Sequence, residues 1–137
     1  GTFRTFNEVW REEVCALLKK TVNKYATEFR ANCQLDIRHG YPVLTNNEAV
    51  TKRVREDAIK LLGKEKVLNL PIRMTSEDFA YYLLRRPGVF YRLGVSNVEQ
   101  GITQTTHSPQ FRIDEASLRT AISLMSWIAL NELNLNI

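Results

Sequence analysis

Hydrophobic and polar residues follow a helical period in three long stretches of the chain. The first stretch begins after Asn7, which together with Glu8 has the chemistry of a helix start, and it extends to about Arg30. Its apolar residues recur at spacings of three and four and therefore share one face: Val14, Leu17, Leu18, Val22, Tyr25 and Phe29. This pattern predicts one long amphipathic helix.

Two more helices are indicated by their start and stop residues. Asn46 and Asn47 can cap the second helix, and Gly63 is a good C-terminal stop. Asp114 can cap the last helix, and Ser76-Glu77-Asp78 has the character of a further helix start. The expected apolar stripes are Val50, Val54, Ala58 and Leu61 or Leu62 in the second helix, and Leu118, Ile122, Met125, Ile128 or Ala129, and Leu133 in the last.

Several shorter segments have the composition or alternation of strands. They are the opening GTFRTF (1–6), the run around Cys33, Leu35 and Ile37, residues 66–72, and residues 89–93. The first two flank the long helix, so residues 1–44 form a predicted strand–helix–strand unit. Gly40 and Pro42 then mark a turn-rich boundary. Residues 94–112 are poor in apolar side chains and are expected to form a long loop, which is often a functional feature.

Composition adds little to this picture. A chain of 137 residues with 44% hydrophobic and 25% charged residues is typical of one globular domain. The net charge of +4 comes from lysines and arginines interleaved with glutamates, which favours solvated helix surfaces over a nucleic-acid site. Cys15 and Cys33 fit no metal or redox motif and favour a reducing, cytoplasmic location. No membrane span or signal peptide is visible in the sequence.

Taken alone, the residues that could carry chemistry have ordinary structural interpretations. His107 and His39 are both expected to be solvated loop or strand-end histidines, and one histidine cannot form a zinc site. Glu77 and Asp78 are carboxylates favoured by a helix dipole in its first turn. Arg4 either solubilises a strand or points into a cleft, where its planar fork would suit a substrate carboxylate.

Some hydrolase classes are not supported by the sequence. It has no glycine-rich phosphate loop of the Gly-x-Gly-x-x-Gly or Walker type. Its serines at 96, 108 and 117 do not lie in a nucleophile elbow. A self-contained hydrolase of the serine, cysteine or phosphate-loop type is therefore not expected.

Three strings, read in order, resemble a known family. They are GTFRTF with a helix and then YPVLTNN, MTSEDFAYYL with RPGVFYRLG, and HSPQFRIDEASL with a long helix. Their succession resembles the second half of metal-dependent amidohydrolases of the zinc exopeptidase type, including hippurate hydrolases, N-acyl-amino-acid amidohydrolases and auxin-conjugate hydrolases. The resemblance covers essentially the whole chain.

The resemblance implies a fold and a domain organisation. The family's catalytic α/β domain holds two metal ions, and a smaller α+β lid that is often used for dimerisation is inserted into it. Residues 1–44 would be the C-terminal half of the lid, and residues 45–137 the C-terminal part of the catalytic domain. The expected fold class is therefore α/β with an α+β lid, and the expected assembly is a homodimer through the lid.

Residue roles follow from the same resemblance. His107 stands at the histidine of the HSPxF string, which is a metal ligand. Arg4 stands at the lid arginine that holds a substrate carboxylate, and Glu77 and Asp78 at an acidic pair that supports the metals. This sequence has Thr75-Ser76 where many relatives have glycines.

The family's general-base glutamate, its other metal ligands and the lid residues that contact substrate are expected upstream of Gly1. The chain is thus expected to be an inactive piece of an enzyme that hydrolyses N-acyl amino acids or similar conjugates. Zinc is the expected metal, although one histidine suits manganese, cobalt or nickel equally. The alternative is a stand-alone dimerisation or interaction module without catalysis.

Overall fold

The computed structural model describes residues 1–133, and the described part is mainly helical. Helix α1 spans Glu8–Glu28, α2 spans Glu48–Leu62, α3 spans Ala80–Leu83 and α4 spans Ala116–Glu132. A single 3₁₀ turn at Lys64–Lys66 follows α2. No helix within residues 1–133 combines the length and the apolar character that a membrane crossing requires.

The chain divides into two compact units. Unit 1 comprises Gly1–Asn46 with Leu70–Gly88, and unit 2 comprises Asn47–Asn69 with the chain from Val89 onward. The change of unit after Asn46 lies two residues from the boundary expected at residue 44, but Leu70–Gly88 groups with the first unit. The assignment of residues 1–44 to a lid and 45–137 to a catalytic part stays a prediction, and residues 134–137 of that range lie outside the described residues.

The ends of α1 follow the predicted chemistry. The Oδ1 atom of Asn7 accepts a hydrogen bond from the backbone N–H of Trp10 at 3.0 Å, so Asn7 is the N-cap. After Glu28 the backbone of Arg30 turns left-handed, with φ of 51°. The N–H of Ala31 then bonds the carbonyl of Ala26 at 2.8 Å, which closes the helix. The helix predicted over this stretch is confirmed.

Unit 1 ties α1 to the segment that follows it. The carboxylate of Glu8 accepts a hydrogen bond from the N–H of Val43 at 2.7 Å. The guanidinium of Arg11 donates to the carbonyl of Tyr41 at 3.0 Å and also pairs with Glu8. Two polar side chains from the first turns of α1 thus form hydrogen bonds with backbone groups of residues 41–43. This segment has no regular secondary structure of its own.

The apolar face predicted for α1 is present but mostly uncovered. Cys15 is the buried residue of this helix, whereas Leu17 is 61% exposed and Phe29 is 74% exposed. The apolar residues thus recur along the helix as the spacing predicts, but within residues 1–133 most of this face is not covered by other residues. A stripe can be buried only if a complementary surface is present.

Helix α2 begins and ends where the sequence indicates. Asn47 Oδ1 accepts from the N–H of Val50 at 3.1 Å, which makes Asn47 the cap. Gly63 follows the helix with φ of 93° and donates its N–H to the carbonyl of Ile59 at 2.9 Å. Residues with a Cβ rarely adopt this backbone, so glycine has a steric reason to end the helix here.

The core of unit 2 lies between α2 and α4. Its buried members are Val54 and Ala58 from α2 and Leu124 and Ile128 from α4. A rim of half-buried residues packs around them: Val50, Leu62, Val67, Val89 and Tyr91. The indole N–H of Trp127 donates to the carbonyl of Asp57 at 3.2 Å and joins the two helices beside this cluster.

Most of the stripe predicted for α4 is exposed within residues 1–133. Of its members, Ile128 is buried, whereas Leu118, Ile122, Met125 and Leu133 are between 48% and 69% exposed. Leu124, which was not in the predicted stripe, is only 5% exposed. Helix α4 carries apolar residues on more than one face, so its own periodicity does not decide which face meets α2.

The predicted strands are absent from residues 1–133. The described chain has no ladder at 1–6, 33–37, 66–72 or 89–93, and its β pairing is the isolated antiparallel bridge between Asn97 and Ile102. A strand is defined by hydrogen bonds to a neighbouring strand, and alternation in one segment does not supply the partner. The α/β fold class with an α+β lid is thus not visible in this largely helical part of the chain.

Candidate functional site

His107 lies in the loop of unit 2 between the Asn97–Ile102 bridge and α4. Its side chain is exposed, and within residues 1–133 its imidazole forms no hydrogen bond or ion pair. Its backbone is left-handed, with φ of 69°, which is uncommon for a residue with a side chain. Such conformations persist only where surrounding contacts hold them, and they concentrate at functional sites.

The residues after His107 form a tight turn organised by Ser108. The Ser108 N–H donates to the carbonyl of Thr105 at 3.3 Å, and its carbonyl accepts from the N–H of Phe111 at 3.0 Å. Its hydroxyl accepts from the N–H of Gln110 at 3.2 Å and donates to Oε1 of Gln110 at 2.9 Å. The hydrogen bonds of Ser108 in this structure are therefore those of a turn residue.

Asn97 and Asp114 join the two ends of this loop. The amide of Asn97 donates to Oδ2 of Asp114 at 2.7 Å, and Oδ1 of Asp114 accepts from the N–H of Ala116 at 3.0 Å. The bond from Asn97 is the larger cause and the bond from Ala116 the smaller, and together they hold the pKa of Asp114 below its ordinary value. Glu115 directly precedes α4, but it has helical φ and ψ of −62° and −22° and forms no capping bond with its side chain. The capping bond comes instead from Asp114, the residue predicted for it, which also bonds a residue 17 positions earlier.

Arg4 precedes α1 in unit 1 and is exposed. Its neighbours are ordered by local contacts: Thr5 Oγ1 accepts from the N–H of Asn7 at 3.0 Å, and the rings of Phe3 and Trp10 meet edge to face at 6.2 Å. Within the described residues Arg4 forms no ion pair or hydrogen bond. Its guanidinium is therefore free to bind an anion.

Glu77 and Asp78 lie in the turn that leads into α3, also in unit 1. Their carbonyls accept from the N–H groups of Ala80 at 3.2 Å and Tyr81 at 3.0 Å, so their backbone begins the helix. Glu77 is half-buried and Asp78 is exposed. The helix start predicted here is confirmed, although the helix itself has only 4 residues.

The residues of the described chain fit a metal ion only in part. Within residues 1–133 no group of three or more histidine, cysteine, aspartate or glutamate side chains is close enough to hold a metal. His107 offers one accessible imidazole nitrogen, and a zinc site needs three or four ligands. His107 therefore fits the role of one ligand and not that of a whole site. Its role, and those of Arg4, Glu77 and Asp78, stay predictions.

His39 lies in unit 1 and has a different environment from His107. Its Nδ1 atom is 3.4 Å from a carboxylate oxygen of Glu12, and both side chains are well exposed. This contact agrees with the expectation that His39 is a solvated surface residue. It also makes His39 the natural control for any experiment on His107.

Two features of the structure were not anticipated from the sequence. One is the bond between Asn97 and Asp114, together with Arg112, which donates to the carbonyls of Gln100 and Gly101 at 3.3 Å. Of these residues only Asp114 could have been identified from the sequence, because helix N-caps have a sequence signature. Side-chain contacts across a loop have no such signature. The other is a shallow hollow of about 520 Å³ beside α3, lined by Tyr81, Tyr82, Leu84 and Arg85, which includes none of the predicted site residues.

Comparison with known proteins connects these local features to a family. The model of peptidase family M20/M25/M40 matches residues 6–131. The chain is 32% identical over 138 residues to the IAA-amino acid hydrolase ILR1-like 6 of Arabidopsis thaliana, covering 98% of this chain and 30% of that protein. It is 32% identical over 118 residues to the N-acetyl-L-cysteine deacetylase of Bacillus subtilis, covering 86% of this chain and 27% of the relative.

A third relative has a peptidase name. The chain is 27% identical over 121 residues to thermostable carboxypeptidase 2 of Saccharolobus solfataricus, covering 87% of this chain and 30% of that protein. The chain therefore spans less than a third of the length of these curated relatives. Because the family match extends over nearly all of the described residues and agrees with the three strings seen in the sequence, the chain belongs to peptidase family M20/M25/M40.

Proposed function

We propose that the protein is a metal-dependent amidohydrolase that cleaves the amide bond of N-acyl amino acids or similar small conjugates. The names of its relatives support this class, since they include an IAA-amino acid hydrolase, an N-acetyl-L-cysteine deacetylase and a carboxypeptidase. The observation that carries the proposal is His107, an exposed imidazole without a hydrogen-bond partner among residues 1–133, on a left-handed backbone in the HSPQF string.

His107 is the residue of this chain that would bind metal. A pair of divalent metal ions, zinc in the first instance, would polarise the scissile carbonyl and activate water when bound. The imidazole contributes a neutral nitrogen donor, and its exposure leaves that nitrogen accessible without rearrangement of a buried core. Within residues 1–133 no three ligating side chains lie close together, so other parts of the enzyme are proposed to supply the remaining metal ligands. The general base is proposed to come from those parts as well.

Arg4 is proposed to bind the free carboxylate of the amino-acid half of the substrate. An unpaired guanidinium can form two parallel hydrogen bonds to a carboxylate, an arrangement that a lysine ammonium cannot reproduce. Glu77 and Asp78 are proposed to support the metal ligands through hydrogen bonds. Their backbone carbonyls accept hydrogen bonds at the start of α3, so the two residues occupy a defined point of unit 1.

The decisive experiment compares His107→Ala with His39→Ala in the complete enzyme. We expect His107→Ala to lose most turnover of N-acyl amino acids and to lower the bound metal, because one metal ligand is removed. His39→Ala should retain both. Thermal melting after chelation should be similar for the two variants, since both side chains are exposed. Normal turnover and metal content in His107→Ala would contradict the assignment of this loop to the metal site.

This chain by itself is proposed to be inactive and to bind zinc no better than an ordinary surface histidine does. We further propose that the enzyme is a homodimer and that it is cytoplasmic. The location is supported by two cysteines that remain free thiols, Cys15 buried and Cys33 exposed.

A second candidate function is that of an interaction module without catalysis. It is favoured by the uncovered apolar residues along α1, which include Leu17 and Phe29 at 61% and 74% exposure. Sedimentation over a range of concentrations, combined with an assay of N-acyl amino acid turnover, distinguishes the two functions. Self-association that is abolished by Leu17→Glu, in a complete protein that shows no turnover, would favour the module over the enzyme.

A further inference from the structure

The loop that carries His107 is closed at its base by a network of hydrogen bonds around Asn97. The backbone N–H and carbonyl of Asn97 form two hydrogen bonds of 2.8 Å with the backbone of Ile102, which is buried. Its side-chain oxygen accepts from the N–H of Gln100 at 3.2 Å, and its side-chain nitrogen donates to Asp114 at 2.7 Å. All the polar groups of Asn97 therefore serve to fix the geometry of the loop.

Asp114 holds the other end of the same loop. Its N–H donates to the carbonyl of Val95 at 2.8 Å, so its backbone and its carboxylate both contact the segment that enters the loop. Arg112 adds bonds of 3.3 Å to the carbonyls of Gln100 and Gly101. The entrance and the exit of the loop are thus held side by side, and His107 lies between them on a strained backbone.

We propose that Asn97 and Asp114 are positioning residues that hold His107 in the conformation that binds metal. The proposal rests on the function proposed above. A left-handed histidine returns to a more favourable backbone unless its surroundings prevent it. Joined loop ends restrict the conformations available to the intervening residues, so the imidazole is ordered before the metal arrives. Asp114 could instead serve only as a helix cap, and that role needs only its bond to Ala116.

The two residues permit a reciprocal exchange that separates these roles. In Asn97→Asp two carboxylates face each other across 2.7 Å, and in Asp114→Asn one amide must satisfy two donors, the Asn97 amide and the Ala116 N–H. In the double variant Asn97→Asp/Asp114→Asn every bond can re-form. The new carboxylate accepts from Gln100 and from the amide at position 114, whose oxygen still accepts from Ala116.

The experiment measures cobalt(II) affinity and the visible spectrum of bound cobalt in the complete enzyme, because the spectrum reports ligand geometry. We expect each single variant to weaken cobalt binding on the order of tenfold and to change the spectrum, because residues that orient a metal ligand affect metal affinity to this extent when they are mutated. The double variant should recover the original spectrum and most of the affinity. In the metal-free protein, the amides of Ser108 and Phe111 should exchange faster in the single variants only.

Two controls make the outcome decisive. Arg53→Gln breaks the pair of bonds to Glu132, at 2.8 and 2.7 Å, at the far end of α4 and should leave cobalt binding unchanged. His107→Ala should abolish the normal spectrum. If His107→Ala abolishes the normal cobalt spectrum but the two single variants bind cobalt normally, Asp114 serves only to cap α4, and the positioning role is overturned. If His107→Ala itself binds cobalt normally, the proposed function fails as well.

Should Asn97→Asp not fold, Asn97→Ser removes the bond to Asp114 without introducing a charge. It is expected to weaken cobalt binding and to speed exchange at Ser108. Normal values for both in Asn97→Ser would equally overturn the positioning role.

Discussion

Leu124→Ala tests whether the cluster between α2 and α4 stabilises unit 2. Leu124 is only 5% exposed and packs with Val54, Ala58 and Ile128. The substitution removes about three methylene-sized groups, which at about 0.8 kcal/mol each lose ~2.4 kcal/mol of burial. A residual cavity of about 50 Å³ would add roughly 1 kcal/mol, and the half-buried rim allows part of it to collapse. We expect a loss of about 2.5–3.5 kcal/mol in the free energy of unfolding of unit 2.

The matched control is Ile122→Ala, two positions earlier on the same helix. Ile122 is 69% exposed in the described structure, so its removal should change stability by less than about 0.5 kcal/mol. Urea unfolding would be followed by far-ultraviolet circular dichroism and by Trp127 fluorescence in a Trp10→Phe background. Equal losses in the two variants, or a loss below about 1 kcal/mol for Leu124→Ala, would refute the packing described between α2 and α4.

Three further predictions concern single positions. Gly63→Ala should destabilise unit 2 by about 1–3 kcal/mol in urea unfolding, because Gly63 has φ of 93°, a backbone that residues with a Cβ rarely adopt. Gly94→Ala, where nothing lies within 4 Å of an added Cβ, should cost much less. The lowered pKa of Asp114 stabilises the fold above the ordinary aspartate value of 3.8 and ceases to do so as pH falls through the lower folded value. The difference in melting temperature between wild type and Asp114→Asn should therefore narrow below about pH 4, and a constant difference would contradict this linkage. In the complete enzyme, Arg4→Ala should raise KM for substrates with a free carboxylate, because roughly 1.5–3 kcal/mol of binding free energy is lost, and KM for the esters of these substrates should not change. An equal rise in KM for both kinds of substrate would exclude a carboxylate clamp.

The ends of the helices could be predicted from the sequence because they depend on local chemistry. An asparagine side chain reaches an N–H three residues ahead, as Asn7 and Asn47 do, and this geometry needs no distant partner. Gly63 ends α2 for the same kind of reason, since its left-handed backbone is excluded for other residues by contacts within the chain. The order of the three strings also determined the family, because it is a property of the sequence alone.

What the sequence left undetermined required information about partners. The expected stripe of α4 contained Ile122, yet Leu124 is the residue that packs on α2, because several faces of this helix are apolar and the contacting helix decides between them. The strands expected at 1–6 and 89–93 have no ladder within residues 1–133, because a strand depends on hydrogen bonds from another segment.

The loop of His107 illustrates both sides of this division. Its histidine could be selected from the HSPQF string, and the polar composition of residues 94–112 predicted a long loop. The left-handed backbone of His107 and the bond from Asn97 to Asp114 could not be predicted, because no spacing rule relates an amide to a carboxylate 17 residues away. Only the tertiary structure brings the side chains of Asn97 and Asp114 within 2.7 Å of each other, since it folds the entrance of the loop back against the residue that caps α4.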